Sequence, residues 1–446
     1  MSDKEILAKI GIKDLSFDFL TISQLVKRGI IEKPLDGNHG EIHPKSEDFV
    51  DAGVPFIMAS DINNGVVDYI NCNFITKKQA DSLRKGFAIN GDVLLTHKAT
   101  IGRTAIIKYD EQPYVMLTPQ VTYYRVRDNR RLDRRYLRYF FECAFFQDTL
   151  NLWAGAGSTR AYLGITEQGK LPFVLPPINK QKKIAAILSV YDELIANNQR
   201  RIILLEQMAN EIYREWFVRL RFPGHKMVKK AKGMPEGWKI AELKEVSIEA
   251  SRSAKPGSHL AERFYLPLEL LNTRQMLPSG HQSYTEAQSS LVTFEKDDIL
   301  FGAMRPYQHK VAIAPFAGIT RTTCFVIRPK MPQAWSWLFL SLFQQTSVDY
   351  ATMICNGADR PYVVWNKGME RMKLLRPDDA LLTKFEEVVR PMLDSISSMY
   401  FTQLKLKDCR DMLLPRLISG QLAVENMDIQ FPPSMVAEME IDSAHA

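Results

Sequence analysis

The sequence is short of the residues and motifs that mark several classes of protein. Only five of its 446 residues are cysteine and no two form a Cys-x-x-Cys pair, so neither a disulfide framework nor a structural zinc site is indicated. No apolar run approaches the roughly 20 residues that cross a bilayer, and the amino terminus lacks the basic-then-apolar pattern of a signal peptide. These absences predict a cytoplasmic protein with reduced thiols.

Catalytic signatures are absent as well. The sequence has no phosphate-binding loop, no dinucleotide-binding fingerprint, no His-Glu-x-x-His and no Gly-x-Ser-x-Gly. His39 and His43 have the spacing of a metal-ligand pair, but they flank Gly40 in a polar loop, so an ordinary loop is favoured. Asp378 and Asp379 resemble the start of a nuclease cluster, yet a helix N-cap explains them more simply. We therefore expect no catalytic residue, metal or cofactor in this chain.

The charge of the chain is unevenly distributed. Lys and Arg total 58 against 51 Asp and Glu, which gives a formal net charge of +7. Beyond Arg416 the sequence has acidic residues and no Lys or Arg, so the rest of the chain is more basic than the total suggests. A basic body suits an acidic polymer such as nucleic acid, although charge alone establishes only solubility and loose attraction.

An internal repeat is the most informative feature. GSTRAYL at 157–163 resembles GADRPYV at 357–363, and NGDVLL at 90–95 resembles KDDILF at 296–301. The segments at 157–163 and 357–363 both lead through a short apolar stretch and a proline into a long helical pattern. The sequence therefore predicts a diverged duplication in the order globular unit, long helix, globular unit, long helix.

Both helical patterns have the 3.5-residue period of a coiled-coil seam over about four heptads. The seam residues are Ile184, Leu188, Ile195, Asn198, Ile202 and Leu205 in the first helix and Phe385, Val389, Ile396, Gln403 and Leu406 in the second. Each helix could instead pack on its own unit, but two matching seams favour mutual pairing. Asn198 and Gln403 are polar seam residues of the kind that fix register, and Pro391 predicts a kink or a break near the start of the second helix. The first helix, over about 180–217, would be on the order of 55 Å long.

Basic loops that also contain aromatic residues recur at matching places in both units. Arg and Lys can contact phosphates or guanine edges, so these loops are candidates for binding duplex DNA, although each one alone is typical of solvated surface. The candidate DNA-binding residues are Lys98, Thr100, Arg103, Ser158, Thr159, Arg160 and Tyr162 in the first unit and Arg305, Tyr307, Lys310, Arg360 and Tyr362 in the second. For Tyr162 and Tyr362, a role as core residues that anchor their loops is equally compatible with the sequence.

Several longer segments resemble a known family. They are LPFVLPP at 171–177, QKKIAAIL at 181–188, DELI at 192–195, MPEGW at 234–238 and RDMLLPRLISG at 410–420. In this order they are similar to the specificity subunit of type I restriction–modification systems, over nearly the whole chain. The second helix is less similar to the family than the first, since it contains Pro391, Gln403 and Arg410.

The resemblance implies a mixed α/β fold. Two target-recognition domains would alternate with two long helices that pair as an antiparallel coiled coil, related by a pseudo-two-fold internal repeat. The implied segments are a first recognition domain at 1–178, a central helix at 179–222, a linker and second recognition domain at 223–378, a C-terminal helix at 379–423 and a flexible acidic tail at 424–446.

The resemblance also implies a non-catalytic role in DNA recognition. Each recognition domain would read one half of a bipartite asymmetric target, and the helices would set the spacer length and dock two methyltransferase subunits. S-adenosylmethionine, ATP and magnesium would belong to those subunits and to the restriction (translocase–nuclease) subunits. Two other readings stay open: a coiled-coil scaffold that does not bind DNA, and a stand-alone DNA-modifying enzyme.

Overall fold

A computed structural model describes residues 11–12, 17–155, 161–231, 233–288 and 290–444. The chain divides into two compact units. Unit 1 draws on the chain up to Glu193 and from Lys407 onward, and unit 2 comprises Leu194–Leu406. These bounds differ from the predicted domains because each long helix contributes residues to both units.

The helices vary from single turns to two very long elements. They are α1 (Ile22–Lys27), α2 (Lys77–Ser82), α3 (Arg134–Glu142), α4 (Ala144–Trp153), α5 (Ile165–Gln168), α6 (Ile178–Tyr213), α7 (Leu243–Val246), α8 (Trp335–Phe343), α9 (Gln345–Met353), α10 (Asp379–Ile418) and α11 (Pro433–Ala444). A π-helical turn, Arg214–Val218, extends α6, so the first long helix ends close to its predicted position.

Most strands are short. In unit 1 they are β1 (Asp18–Thr21), β2 (Leu35–Asp36), β3 (Phe49–Val50), β4 (Val54–Ile57), β5 (Ile62–Asn63), β6 (Val66–Val67), β7 (Asn73–Ile75), β8 (Phe87–Ala88), β9 (Val93–Lys98), β10 (Thr100–Ile106), β11 (Val115–Leu117), β12 (Val121–Tyr124) and β13 (Pro172–Leu175). In unit 2 they are β14 (Lys230–Ala231), β15 (Met234–Pro235), β16 (Lys239–Glu242), β17 (Ser247–Glu249), β18 (Arg252–Ala254), β19 (Phe264–Tyr265), β20 (Leu291–Phe294), β21 (Ile299–Gly302), β22 (Val311–Ile313), β23 (Gly318–Arg321), β24 (Cys324–Pro329) and β25 (Lys373–Arg376).

The two units share one topology. Unit 1 contains a four-stranded sheet in the order β10-β9-β12-β2, and unit 2 contains the matching order β22-β21-β24-β17. In each unit the strand before the long helix pairs antiparallel with an early strand, β13 with β1 and β25 with β16. A pair of helices rich in aromatic residues, α3–α4 or α8–α9, packs in the core of its unit. The predicted fold class, including the internal repeat, is confirmed. Unit 1 adds a five-stranded sheet, β3-β7-β4-β11-β8, and unit 2 adds a four-stranded one, β18-β20-β23-β19.

An arginine–aspartate ion pair with a buried carboxylate occupies the same place in both shared sheets. Arg125 holds Asp92 through two hydrogen bonds of 2.9 and 2.8 Å, and Arg328 holds Asp298 through two of 2.7 and 2.9 Å. Both carboxylates are almost fully buried, and each also accepts a backbone amide three residues upstream. A buried carboxylate needs such a forked partner to offset its desolvation, which explains why the Asp and Arg recur together.

In unit 2 the long helices lie antiparallel. The Phe385 ring packs on Tyr213 and Phe217, with ring centroids 6.3 and 4.7 Å away. At the other end of the contact, Gln403 Nε2 donates to Gln199 Oε1 at 2.9 Å. Gln403 therefore pairs with the neighbour of Asn198 rather than with Asn198 itself. The alternative in which the helices do not pair is wrong.

In unit 1 the helices meet around a charge. Arg410 Nη1 donates to Asp192 Oδ1 at 2.9 Å, while Arg138 Nη2 and the Tyr139 hydroxyl donate to Asp192 Oδ2 at 2.8 and 2.7 Å. Arg410 stands in the seam of α10 because a carboxylate of α6 faces it. This polar contact explains why the second helix departs from an apolar seam at that position.

The predicted break at Pro391 is wrong, because α10 is one continuous helix over Asp379–Ile418. Proline removes one backbone N–H from the helix and leaves the carbonyl four residues earlier without its intrahelical donor. Pro391 lies on an exposed face of α10, where water can hydrate that carbonyl.

The acidic C-terminal segment is not the flexible tail expected from the sequence. Helix α11 packs on unit 1, where Met435 is buried in the core. Glu438 forms an ion pair with Arg134 and another of 2.6 Å with Arg135. The acidic residues looked like a solvated tail because their basic partners lie about 300 positions away in the sequence.

Candidate DNA interface

In unit 1 the structure brings two of the predicted loops together. Strand β9 ends at Lys98, which forms an isolated antiparallel bridge with Tyr162. The amide of Ala99 donates to the carbonyl of Ala161 at 3.1 Å. The turn between β9 and β10 is thus held against the segment that carries Tyr162, although the two are about 60 residues apart in sequence.

Unit 2 repeats this arrangement. Met304, just after β21, forms an antiparallel bridge with Tyr362, and the amide of Arg305 donates to the carbonyl of Pro361 at 2.8 Å. Ala99 and Arg305 occupy equivalent positions, and both have left-handed backbones, with φ of 64° and 49°. Non-glycine residues rarely adopt this conformation, and they cluster at functional sites.

Many of the predicted contact residues are solvent-exposed at these junctions. The exposed ones are Lys98 and Tyr162 in unit 1 and Arg305, Tyr307, Arg360 and Tyr362 in unit 2. Tyr162 and Tyr362 are 46% and 47% exposed, so the alternative in which they are core residues is wrong. Thr100 is half-buried at the start of β10.

Arg103 and Lys310 support the fold instead of facing solvent freely. Arg103 Nη1 donates to the carbonyls of Ala59 and Ile62, both at 3.2 Å. Lys310 Nζ donates to the carbonyl of Leu268 at 2.8 Å. Both side chains donate to backbone acceptors of their own unit, which gives each a structural role; their contact with DNA stays a prediction. Ser158, Thr159 and Arg160 lie outside the described residues.

A buried histidine lies directly beneath the junction in unit 1. His97 Nδ1 is 3.0 Å from the carbonyl of Leu163, whose own amide donates to the His97 carbonyl at 3.0 Å. Its ring centroid is 5.7 Å from that of Tyr162. Burial lowers the pKa of His97 to about 4, so the imidazole is neutral at neutral pH and its Nδ1–H donates to Leu163. His97 therefore positions the Tyr162 segment.

Arg274, which was not among the predicted contact residues, adjoins the junction in unit 2. This exposed arginine lies in the loop between β19 and β20, and its amide donates to the carbonyl of His309 at 3.0 Å. The equivalent loop of unit 1, between β4 and β7, contains no arginine, so comparing the two halves of the sequence could not find Arg274. The one local signal is the polar run NTRQ at 272–275.

The described part of this candidate interface contains cationic and aromatic groups. Among the described residues, no group of three or more His, Cys, Asp or Glu side chains could hold a metal ion. His39 donates its ring nitrogen to Asp36 at 2.7 Å rather than converging with His43. Guanidinium and ammonium groups with neighbouring phenols suit contact with a nucleic-acid backbone and base edges.

None of the described helices is both long and apolar enough to cross a membrane.

Comparisons with known proteins agree with this picture. The family model for the type I restriction modification DNA specificity domain matches residues 29–207. The type I restriction enzyme MjaIX specificity subunit of Methanocaldococcus jannaschii is 24% identical over 406 residues, which cover 86% of this chain and 90% of that protein. The MjaVIII specificity subunit of the same organism is 25% identical over 299 residues, or 61% of this chain and 67% of that protein.

The fold is also that of a solved structure. The S subunit of a type I restriction-modification system from M. genitalium aligns with a TM-score of 0.55 at 17% identity, over 90% of this chain and 96% of that one. The sequence motifs, the repeated topology and the matching specificity domain lead to one conclusion. The chain contains a type I restriction modification DNA specificity domain at residues 29–207, and over most of its length it is similar to specificity subunits of type I restriction–modification systems.

Proposed function

We propose that each unit of this specificity subunit reads one half of a bipartite, asymmetric DNA target. The observation that carries the proposal is the repeated junction, in which a turn after the central strand is held against the segment containing Tyr162 or Tyr362. The scaffold is the same in both units, but the exposed side chains differ. Two different half-sites therefore fit the two units better than one sequence read twice.

The paired helices would set the spacer between the half-sites and dock two methyltransferase subunits. Leu194, Leu204 and Met208 on one side of α6 are 44%, 51% and 50% exposed. Apolar side chains repeated along a solvent-facing helix are typical of a surface that receives a partner helix. The methyltransferase subunits would carry S-adenosylmethionine, and restriction subunits would use ATP and magnesium, so that this chain needs no cofactor.

The role of the chain is thus recognition, and chemistry on DNA would come from its partners. The cytoplasm is the proposed location, because the target DNA and the partner subunits would be met there. All five cysteines are free thiols, which suits a reducing compartment.

A binding-site selection experiment tests this function. The chain, assembled with its methyltransferase subunits, selects the duplexes that it binds from a random library. We expect a split motif with an unread spacer. Lys98→Gln combined with Tyr162→Ala should weaken selection of one half, and Arg360→Gln combined with Tyr362→Ala should weaken the other. Lys78→Gln, an exposed lysine on α2, is the charge-matched control and should leave both halves unchanged.

Three results would count against the proposal. Binding to duplex DNA without any sequence preference would favour a scaffold role. Equal loss of both halves in each double variant would show that the junction residues contact phosphates or maintain the fold rather than read separate half-sites. Methyl transfer by the chain alone would favour the stand-alone enzyme.

A further inference from the structure

We propose that Arg274, together with Arg305, reads a base in the half-site bound by unit 2, and that Gln345 is the positioning residue for Arg274. This inference rests on the proposed function and deepens it, because it names a specificity-determining group that the sequence analysis did not find.

The first argument is the shape of the loop that carries Arg305. A single 3-10 turn, Pro306–Gln308, is flanked by Arg305 and His309, whose φ values are 49° and 51°. The left-handed region is unfavourable for non-glycine residues, so two of them in one turn persist only where the surrounding structure holds them. The turn is closed by the amides of Gln308 and His309, which donate to the carbonyls of Arg305 and Pro306 at 2.9 and 2.8 Å. The loop therefore has one defined conformation.

The second argument is the support beneath this loop. His309 is almost fully buried, and its Nε2 donates to the carbonyl of Phe343 at 2.9 Å. The side-chain amide of Gln345 lies 3.3 Å from His309 Nδ1 and donates from Nε2 to Asp349 Oδ1 at 2.8 Å. Helix α9 thus fixes the histidine end of the turn, and the amide of Gln345 is itself held in place.

The third argument is the place of Arg274. It has a φ of 56°, so a third left-handed residue adjoins the same turn. Its amide donates to the carbonyl of His309 at 3.0 Å, and its Nη2 donates to Gln345 Oε1 at 3.3 Å. Gln345 therefore contacts both the turn and the guanidinium of Arg274.

The loop of Arg274 is also fixed on its other side. The amide of Met276 donates to Glu206 Oε1 of α6 at 2.8 Å, and the carbonyl of Met276 accepts from the amide of Ile313 in β22 at 2.9 Å. Met276 itself is fully buried. Arg274 thus extends from a short segment held at both ends, which is unusual for an exposed arginine.

This arrangement suits recognition of a base. A guanidinium has five N–H donors on a rigid plane and matches the O6 and N7 acceptors of guanine, whereas phosphate contacts tolerate mobile side chains. With one nitrogen engaged by Gln345, the remaining donors of Arg274 are free to meet DNA in a defined orientation. Binding by a group that is already ordered avoids the entropy of ordering a long side chain.

The test is the substitution Arg274→Gln in the full chain assembled with its methyltransferase subunits, followed by selection from the random duplex library. We expect a loss of preference on the order of ten- to a hundredfold at one or two base pairs of the half-site bound by unit 2. The other half-site is the internal reference and should be unchanged. Arg371→Gln removes an exposed arginine from the 3-10 turn Met369–Arg371 and is the matched control.

Gln345 is tested by two variants. Gln345→Leu removes the acceptor for Arg274 and should relax the same base pair. The double variant Gln345→Glu, Asp349→Asn keeps an acceptor for Arg274 and a hydrogen bond between positions 345 and 349, and should restore the preference. If Gln345 had only a general structural role, Gln345→Leu would lower the melting temperature without a specific effect on that one base pair. The variant with glutamate at this position would then not restore the base preference.

Three outcomes decide the inference. Unchanged selection by Arg274→Gln overturns it, and so does uniform weakening across all sequences, which would assign the arginine to a phosphate. Failure of the unsubstituted assembly to select any split motif would instead reject the proposed function. Relaxation of one base pair by Arg274→Gln and by Gln345→Leu, with the preference kept by the double variant Gln345→Glu, Asp349→Asn, supports the inference.

Discussion

Asp192 is the residue on which the buried charges of unit 1 converge. Burial alone would raise the pKa of its carboxyl group, but Arg138 and Arg410 together lower that pKa below its usual value. Arg138 is only 7% exposed and also bonds to Glu142 at 3.0 Å. Such a group is stable only while every member has its partner.

We expect Asp192→Asn to lower the free energy of unfolding by about 3 kcal/mol, because two arginines lose a shared counter-ion inside the protein. Urea denaturation at pH 7 measures this loss. Since folding lowers the pKa of Asp192 from 3.8, its contribution is present at higher pH and is lost as the pH falls through the folded-state pKa. Asp411→Asn removes an exposed carboxylate 2.9 Å from Arg410 and should change stability by less than about 1 kcal/mol; equal effects would contradict the role of Asp192.

Among single residues, recurrence at matched places in the two halves selected Lys98, Tyr162 and Tyr362, and all three are exposed; their contact with DNA stays a prediction. Arg103 and Lys310 have the same chemistry, but their acceptors are backbone carbonyls about 40 positions away. Only tertiary structure decides which basic side chain faces such a carbonyl and which faces water.

Among the elements, the long helices were predicted most accurately. Their 3.5-residue period is a local property that survives without knowledge of the rest of the fold. The strands of two or three residues are different, because pairing with distant partners defines them and so short a segment has no clear period. Helix α11 was missed because its apolar face, with Met435, is short and surrounded by acidic residues.

We expect Met435→Ala to destabilise unit 1 by about 2 kcal/mol, since it leaves a cavity where α11 meets the core. Val436→Ala is the neighbouring control, because Val436 is 41% exposed while Met435 is 1% exposed. Hydrogen exchange of α3 and α11 measures the effect locally. If the two variants behave alike, α11 does not contribute through Met435.

For the whole molecule, the duplication was visible in the sequence because the order of the elements survives divergence. The differences between the two copies could not be predicted from the sequence. The positions in unit 2 that correspond to Arg138, Asp192 and Arg410 are Phe339, Leu393 and Ala209, all fully buried and apolar. Unit 1 joins its helices through ion pairs at these positions, whereas unit 2 joins them through apolar packing. The local sequence pattern does not predict that ion pairs in one copy are replaced by apolar contacts in the other.

Adding one heptad to both long helices tests whether they act as a ruler. Seven residues inserted after Asn198 and seven after Gln403 keep the seam in phase and add about 10 Å to each helix. We expect the preferred spacer to grow by about three base pairs, as read from selected DNA. Seven residues inserted at 226–229, outside the regular strands and long helices, should leave the spacer unchanged. An unaltered spacer after the paired insertion would contradict the ruler.

The ionic contact in unit 1 also restricts how such chains can be recombined. Arg138 belongs to the recognition part of the unit, whereas Asp192 and Arg410 belong to the long helices. A chimera that grafts a foreign recognition part onto these helices must bring its own cation to position 138, or Asp192 loses one of its two arginines. In unit 2 the corresponding contact between the recognition part and the long helices is apolar, so a foreign recognition part needs only a matching apolar surface. New specificities should therefore be easier to install in unit 2 than in unit 1.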